Sequence, residues 1–235
     1  MRLINYVIIL FLSITSSLVA QPKIEANTEE YDFGRVPQNV TLIRKLILRS
    51  VGDAPVQIDS VITYCDCIEI PIKNMTLMPG DSLVTELRFK SSFFSGNKEW
   101  RPHFYINKFN RGYRLRVMAF VVDEIKHQKR IFVDPHTVNA SQFGDNAITR
   151  FPIKIYNNCE ENVPFRLTYA EDDYFTLDFP THVAPKDSAL GWINLNQKGL
   201  ENEFETAITF EYLNEDSETR LYSIPIKRKI FKPEN

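Results

Sequence analysis

Apolar and polar residues alternate with a period of two along most of the chain after residue 20. One such run places Tyr113, Leu115, Val117, Ala119 and Val121 at every second position. Because successive side chains of a β-strand point to opposite faces, each run can bury one apolar row. No window of eleven or more residues carries the apolar stripe of the helices that parallel α/β folds need. The pattern predicts an all-β protein.

The alternating pattern occurs twice, with turn clusters at the spacing typical of a β-sandwich. In the same order, both halves contain a Phe-Gly pair (33–34 and 143–144), an eleven-residue strand pattern (40–50 and 147–157) and a Pro-x-Asp-Ser turn (79–82 and 185–188). Such self-similarity indicates a tandem duplication. We therefore predict two immunoglobulin-like β-sandwich domains, at 22–123 and 131–232, joined by the short polar stretch 123–130.

The N-terminal residues 1–20 have the pattern of a secretory signal peptide. Arg2 precedes a short apolar run, and small residues lead to Ala20. The run is shorter than the 18 to 20 apolar residues, roughly, that span a bilayer. We expect cleavage after Ala20, with Ser17 as the alternative, and a periplasmic or extracellular mature protein without a transmembrane segment.

Composition narrows the function classes. The net charge of −2 does not indicate nucleic-acid binding. The chain contains only 8 Gly residues, which disfavours glycine-rich nucleotide-binding loops. Neither an H-E-x-x-H nor a G-x-S-x-G motif occurs in the sequence. We therefore expect no enzymatic activity, no cofactor, no metal site and no nucleic-acid ligand.

Charge is nevertheless uneven along the chain. Residues 21–123 contain 14 Lys and Arg against 12 Asp and Glu, whereas residues 131–235 contain 10 against 17. Basic residues crowd one predicted hairpin of the first half, whose outer face also carries aromatic residues. The candidate binding surface comprises Arg101, His103, Tyr105, Lys108, Arg111, Arg114 and Arg116, with Phe120 on the same predicted face. Such a surface suits an anionic glycan or an acidic protein, and the alternative interpretation is an ordinary solvated strand face.

Cys65 and Cys67 form a candidate thiol pair in the first half. Residues two apart on a regular strand lie about 6.7 Å apart, which is too far for good disulfide geometry. A bend at Asp66 would permit the bond, and an oxidising compartment would promote it. Two packed free thiols and a metal site are the alternatives, although a zinc site needs about four ligands. Cys159 lies in a turn of the other half and is a poor partner.

Four features of the first half, taken together, resemble a known family. They are Tyr31-Asp32-Phe33-Gly34, the stretch 49–56, Cys65-Asp66-Cys67 and Met78-Pro79-Gly80-Asp81. This region, roughly residues 24–122, resembles the bacterial domain-of-unknown-function family fifteen seventy-three. That family is similar to the Hydin-type (ASH) and PapD-like immunoglobulin sandwiches. The resemblance implies a fold and an exported location, and no established activity.

Several turn and proline positions make sharper structural predictions. Gly52-Asp53 is expected to form a tight turn with positive φ. Pro79-Gly80 fits a type II turn. Pro152 and Pro225 lie inside strand patterns, where a proline removes one ladder hydrogen bond. We expect both prolines at edge positions or bulges.

These observations favour a non-enzymatic interaction or structural module of the cell envelope. We expect a protein partner there, with a glycan as the alternative ligand. A periplasmic chaperone that acts by β-strand addition is a second hypothesis. Thiol redox chemistry or metal handling through Cys65 and Cys67 is a third.

The predicted signal peptide is tested by N-terminal sequencing of the protein from its native host. The expected first residue is Gln21 or a close neighbour, because the small-residue segment ends at Ala20. Soluble cytosolic protein that retains Met1 would contradict the prediction.

Overall fold

The computed structural model describes residues 20–122, 130–170, 173–213 and 219–231, with the backbone alone at 109–111. The first half contains β1 (Ile24–Ala26), β2 (Glu30–Pro37), β3 (Thr41–Ser50), β4 (Val56–Ile62), β5 (Ile68–Glu69), β6 (Met75–Leu77), β7 (Ser82–Lys90), β8 (Gly96–Trp100), β9 (His103–Ile106), β10 (Phe109–Arg114) and β11 (Arg116–Val122). The second half contains β12 (Ile131–Asp134), β13 (Val138–Asn139), β14 (Gln142–Phe143), β15 (Arg150–Asn157), β16 (Val163–Tyr169), β17 (Phe175–Asp178), β18 (His182–Val183), β19 (Ser188–Leu195), α1 (Gln197–Glu201), β20 (Phe204–Leu213), β21 (Thr219–Arg228) and β22 (Ile230–Phe231). The all-β prediction is confirmed.

The two halves repeat one strand topology. One sheet of the first half has the order β1-β3-β7-β5, and its counterpart in the second half has the order β12-β15-β19-β17. Facing them are β10-β9-β4-β6 and the matching series β21-β20-β16-β18. Each half therefore forms an immunoglobulin-like sandwich, and the predicted fold of two tandem sandwiches is confirmed.

Each sandwich has its own hydrophobic core. The first core contains Phe33, Phe89 and Phe104, each with no exposed surface. A separate cluster of buried residues, centred on Ile153, Ile193 and Ile208, fills the second sandwich. Ala207 of β20 belongs to the first cluster rather than the second. The two cores therefore meet at the boundary between the halves.

A continuous sheet joins the two sandwiches. Its order is β18-β16-β20-β21-β2-β11-β8, so strands of both halves lie side by side. β21 of the second half pairs in parallel with β2 of the first half, with Arg35 opposite Tyr222. Gly34 is required at this junction, because a Cβ there would lie 2.3 Å from the Leu221 carbonyl oxygen. The shared sheet fixes the orientation of one sandwich against the other.

A buried arginine crosses the same junction. Arg44 of β3 is 8% exposed and lies over the rings of Phe33 and Tyr169, at 4.6 Å and 4.9 Å from their centroids. Its Nη2 donates to the Thr209 hydroxyl at 2.7 Å. The hydroxyls of Thr209 and Ser223 lie 2.7 Å apart, and Ser223 donates to the Phe33 carbonyl at 2.6 Å. Since a carbonyl only accepts, Thr209 donates to Ser223, and the chain of hydrogen bonds has one direction.

Burial lowers the pKa of the Arg44 guanidinium to about 10. This value is still above neutral pH, so the side chain carries its charge inside the interface. Two aromatic faces and one hydroxyl stabilise that charge, and a desolvated cation over an aromatic ring contributes about 2 kcal/mol. The charge therefore holds residues of both halves together.

The turn predictions differ in outcome. Pro79-Gly80 forms the expected type II turn, with Gly80 at φ 88° and the Asp81 amide donating to the Met78 carbonyl. Gly52 is not among the residues with positive φ, and that part of the prediction is wrong. A Cβ at Gly52 would instead lie 2.1 Å from the Gln21 carbonyl oxygen. Close approach of the N-terminal segment, rather than backbone conformation, requires glycine there.

Both prolines lie where one neighbouring strand is missing. β15 pairs with β19 through Pro152, whereas its other neighbour β12 begins pairing only at Lys154. In β21, Tyr222 pairs with β2 and Ile226 pairs with β13, and Pro225 lies between these two positions. Neither proline therefore removes a hydrogen bond from a fully flanked strand, in agreement with the expectation.

Two expectations fall on residues that the structure leaves undescribed. The predicted signal peptide lies outside the described ranges except for Ala20, and the predicted linker lies outside them except for Arg130. Within those ranges, no helix is long and apolar enough to cross a membrane.

The junction is tested by comparing Gly34→Ala with Gly80→Ala. Both glycines have positive φ, at 61° and 88°, so both substitutions carry the conformational cost of about 1–2 kcal/mol. Only Gly34 has the Leu221 backbone within 2.4 Å of an added Cβ, whereas nothing lies within 4 Å at Gly80. We expect Gly34→Ala to lower the free energy of unfolding by at least about 1 kcal/mol more than Gly80→Ala in chemical denaturation. Equal losses would contradict the role assigned to the junction.

Candidate functional site

The expectation of one basic hairpin face is wrong, because the structure divides its residues between two sheets. Arg116 and Phe120 lie on β11 of the continuous sheet, and Arg101 follows its neighbour β8, whereas His103, Tyr105, Lys108 and Arg114 lie on or between β9 and β10 of the other sheet. Arg101 contacts Glu99 at 2.7 Å, and Arg116 contacts both Glu99 and Glu30 at 2.9 Å. Hydrogen bonds from Arg116 and then Arg101 lower the pKa of Glu99. Arg101 and Arg116 therefore belong to a local ion-pair network and present little free positive charge.

Arg114 and Lys108 differ from Arg101 and Arg116 in their charge pairing. Among the described residues, neither side chain forms an ion pair. Lys108 lies at the hairpin turn with φ 58°, and its backbone amide donates to Asp59 at 2.7 Å. Arg114 is exposed and pairs in register with His103. The side chain of Arg111 lies outside the described residues.

His103 does not contribute an exposed side chain, which corrects the expectation for this residue. The neighbouring Phe104 points into the core with no exposed surface, so His103 lies on the outer face. It is nevertheless only 3% exposed, and its Nδ1 has no hydrogen-bond partner among the described residues. Burial, and then the charge of Arg114, lower the pKa of the imidazole. Phe120, predicted on the same face, is half-buried and lies under Arg35 at 5.0 Å.

One tyrosine lies against the histidine, and a second lies next to the first. The ring of Tyr105 lies 4.2 Å from that of His103, with an interplanar angle of 35°. The neighbouring phenol of Tyr64, which is 68% exposed, raises the pKa of Tyr105. Ile62, which pairs with His103 across β4 and β9, is 41% exposed. We call Ile62, Tyr64, Tyr105 and Arg114 the tyrosine–arginine surface.

A disulfide holds the position of Tyr64. Cys65 and Cys67 are bonded, with their Cα atoms 5.1 Å apart, in a turn rather than in a regular strand. The bend at Asp66 that the sequence required for this bond is therefore present, and the alternative of two free thiols is wrong. Tyr64 directly precedes the disulfide and has φ 59°. Tyr64 is a surface residue that the alternation pattern did not single out, although its place between the end of β4 and the Cys pair was a usable signal.

Within the described part of the chain, Cys159 and the acidic residues form no metal site. Cys159 is buried and free, and its Sγ accepts a hydrogen bond from Arg130 at 2.8 Å. Across the described residues, no three His, Cys, Asp or Glu side chains are grouped as a metal ion would require.

The sheet edges are short. The strands that end a sheet in the described part of the chain contain two to six residues, and β10, the longest, has a register shift. The ten-residue strands β3, β20 and β21 all have neighbours on both sides. Short and irregular edges disfavour pairing with another chain. The structure therefore gives strand addition little support.

A chaperone would also need basic side chains in the cleft between the halves to capture the C-terminal carboxylate of a client. Arg44 is buried at the junction, where it donates to Thr209, and Arg130 contacts Glu161 at 2.7 Å. A cleft of about 340 Å³ between the halves carries Arg88 and Lys229.

The same cleft also carries three carboxylates, Glu86, Glu203 and Glu205. A client carboxylate in this cleft would meet like charges, which disfavours its binding.

Comparison with known proteins bears on the first half. Residues 24–121 match the family model of a protein of unknown function, DUF1573. The resemblance seen in the sequence is thereby confirmed for that region. A search of curated proteins found no match.

Solved structures with a similar fold are distant in sequence. A protein of unknown function from Porphyromonas gingivalis W83 is 12% identical, covers 87% of this chain and 99% of its own, and has a TM-score of 0.36. The YadV chaperone is 10% identical, with coverages of 86% and 98% and a TM-score of 0.32. An ASH/PapD-like domain of human CEP192 is 11% identical, with coverages of 47% and 98% and a TM-score of 0.33.

The covered histidine is tested by an NMR pH titration of the His103 imidazole. Burial and the neighbouring Arg114 both favour the neutral form, so we expect a midpoint below the ordinary value of about 6.5. Arg114→Gln removes one of these two causes and should raise the midpoint. A midpoint at or above the ordinary value would contradict the arrangement.

The same shift predicts how stability depends on pH. Because the folded-state pKa of His103 lies below its unfolded value, the unfolded chain binds the proton more readily as pH falls through that window. The His103 contribution to the free energy of unfolding is therefore present above about pH 6.5 and is lost below it. His136 also has a pKa lowered by burial and adds to the same pH dependence. The free energy of unfolding is therefore measured against pH for the wild type and for His103→Gln, which lacks only the His103 contribution.

Proposed function

We propose that the protein is an exported, non-enzymatic interaction module of the cell envelope, which binds a partner through the tyrosine–arginine surface. The observation that carries the proposal is the combination at this surface of an arginine without a described ion-pair partner, the exposed Tyr64 and the half-buried Tyr105. Tyr64 is 68% exposed, and Arg114 is exposed without a described carboxylate partner. Tyrosine and arginine are enriched among the residues that dominate binding energy in interfaces.

Rigidity of the surface supports the same function. The disulfide fixes the turn that presents Tyr64, and Tyr105 is supported from below by His103. A surface already held in its binding conformation loses little side-chain entropy when a partner binds.

The exported location rests on two features of the chain. The sequence at residues 1–20 has the pattern of a signal peptide. The Cys65–Cys67 disulfide is a bond that persists in oxidising compartments and is rare in the cytosol. Partners are therefore sought among envelope components.

The proposed surface is tested by site-specific photo-crosslinking in intact cells. A photo-reactive phenylalanine analogue replaces Tyr64, and the expected result is a discrete crosslinked species. Arg114→Glu in the same background reverses the charge and should reduce the yield at least about tenfold, more at low salt than at high salt.

The control places the same analogue at Phe93, an aromatic residue that is 95% exposed elsewhere in the first half. No matching species is expected at that position. Equal crosslinking from both positions, or an unchanged yield with Arg114→Glu, would refute the proposed surface.

A further inference from the structure

We infer that the tyrosine–arginine surface binds an anionic sugar ring, with the tyrosines against the ring and Arg114 on its acidic group. This inference rests on the proposed function, because it names the ligand class of the same surface. Three properties of the surface support it: its aromatic faces, its isolated positive charge and its small size.

The aromatic faces are preorganised. Tyr105 is half-buried, and its ring lies against the buried His103 ring at 4.2 Å. The Cys65–Cys67 disulfide holds the turn that carries Tyr64, whose phenol neighbours that of Tyr105. An aromatic ring supported in this way offers a flat apolar surface to the C–H groups of a sugar ring, and the phenol oxygens can exchange hydrogen bonds with its hydroxyls.

The charge selects an acidic sugar over a neutral one. Arg114 forms no ion pair with a described residue, whereas Arg101, which follows β8, and Arg116 of β11 are paired with Glu99. A planar guanidinium can form two parallel hydrogen bonds with a carboxylate or a phosphate. A free arginine beside two tyrosines therefore matches a ring that carries one acidic group.

The size of the surface favours a small ring over a folded protein. Four side chains form it, whereas a stable protein interface uses about 20–30 residues on each side. The turn between β9 and β10 is already engaged, since the Lys108 amide donates to Asp59. One or two sugar rings match the four side chains better than a large partner surface does.

The inference is tested with three matched probes and the mature, oxidised protein. Trigalacturonate offers rings and carboxylates, its methyl ester offers the rings without the charge, and N-acetyl-triglutamate amide offers the carboxylates without rings. Binding is measured by isothermal titration and by NMR shifts at Tyr64 and Tyr105. We expect trigalacturonate to bind at least about tenfold more tightly than either of the other two probes.

Variants locate the binding to the surface. Arg114→Gln and Tyr64→Ala should each weaken trigalacturonate binding at least about tenfold, whereas Tyr64→Phe retains the ring and should lose less. Arg49→Gln is the control, because Arg49 is an exposed arginine on β3 in the other sheet. It should leave the affinity unchanged. Circular dichroism verifies that each variant is folded.

Each remaining outcome overturns the inference. Equal binding of triglutamate shows that charge alone suffices, and equal binding of the methyl ester shows that charge is not required. Absence of binding by all three probes also refutes the sugar ligand. In each case the crosslinking from Tyr64 separately decides whether the surface binds another partner, so the two failures are distinguishable.

Discussion

The pairing of β2 with β21 is the constraint on which the arrangement of the molecule depends. It makes one continuous sheet from strands of both sandwiches. The buried Arg44 reinforces it with a hydrogen-bond chain that ends on the carbonyl of Phe33. Because every hydroxyl in the chain has both a donor and an acceptor, a small displacement of either half leaves a buried polar group unsatisfied, which costs about 1–3 kcal/mol.

The candidate surface uses a different stabilising device. It lies on the outer face of the first sandwich, where no second layer of core packing holds side chains in place. Two local features replace that packing. One is the Cys65–Cys67 disulfide, and the other is His103, which is buried on an otherwise exposed face. The surface is therefore held by a local covalent bond and a local ring contact, whereas the junction is held by contacts between residues that are remote in sequence.

Local patterns predict the strands, the duplication and most turns, because alternation, proline and glycine act through neighbouring residues. The pairing of Arg35 with Tyr222 has no such pattern, since it joins positions that are remote in sequence and depends on both folded halves. The sequence pattern also does not predict the burial of His103, and the reason is physical. Alternation correctly puts it on the outer face, but its burial also depends on neighbouring strands, which place Ile62 and Arg114 opposite it. The expectation for Gly52 fails because a local pattern does not show the N-terminal segment that lies against it.

The junction has a consequence for the evolution of the duplicated chain. The DUF1573 match ends at residue 121, so the matched unit contains β2 but not β21. On its own, that unit would leave one side of the eight-residue β2 open near Arg35. The second half thus serves as a permanent cover for an edge that would otherwise be prone to self-association. A chain that lost its second half would have to shield this edge with charge, a bulge or a second copy, which is a reason for the two halves to be inherited together.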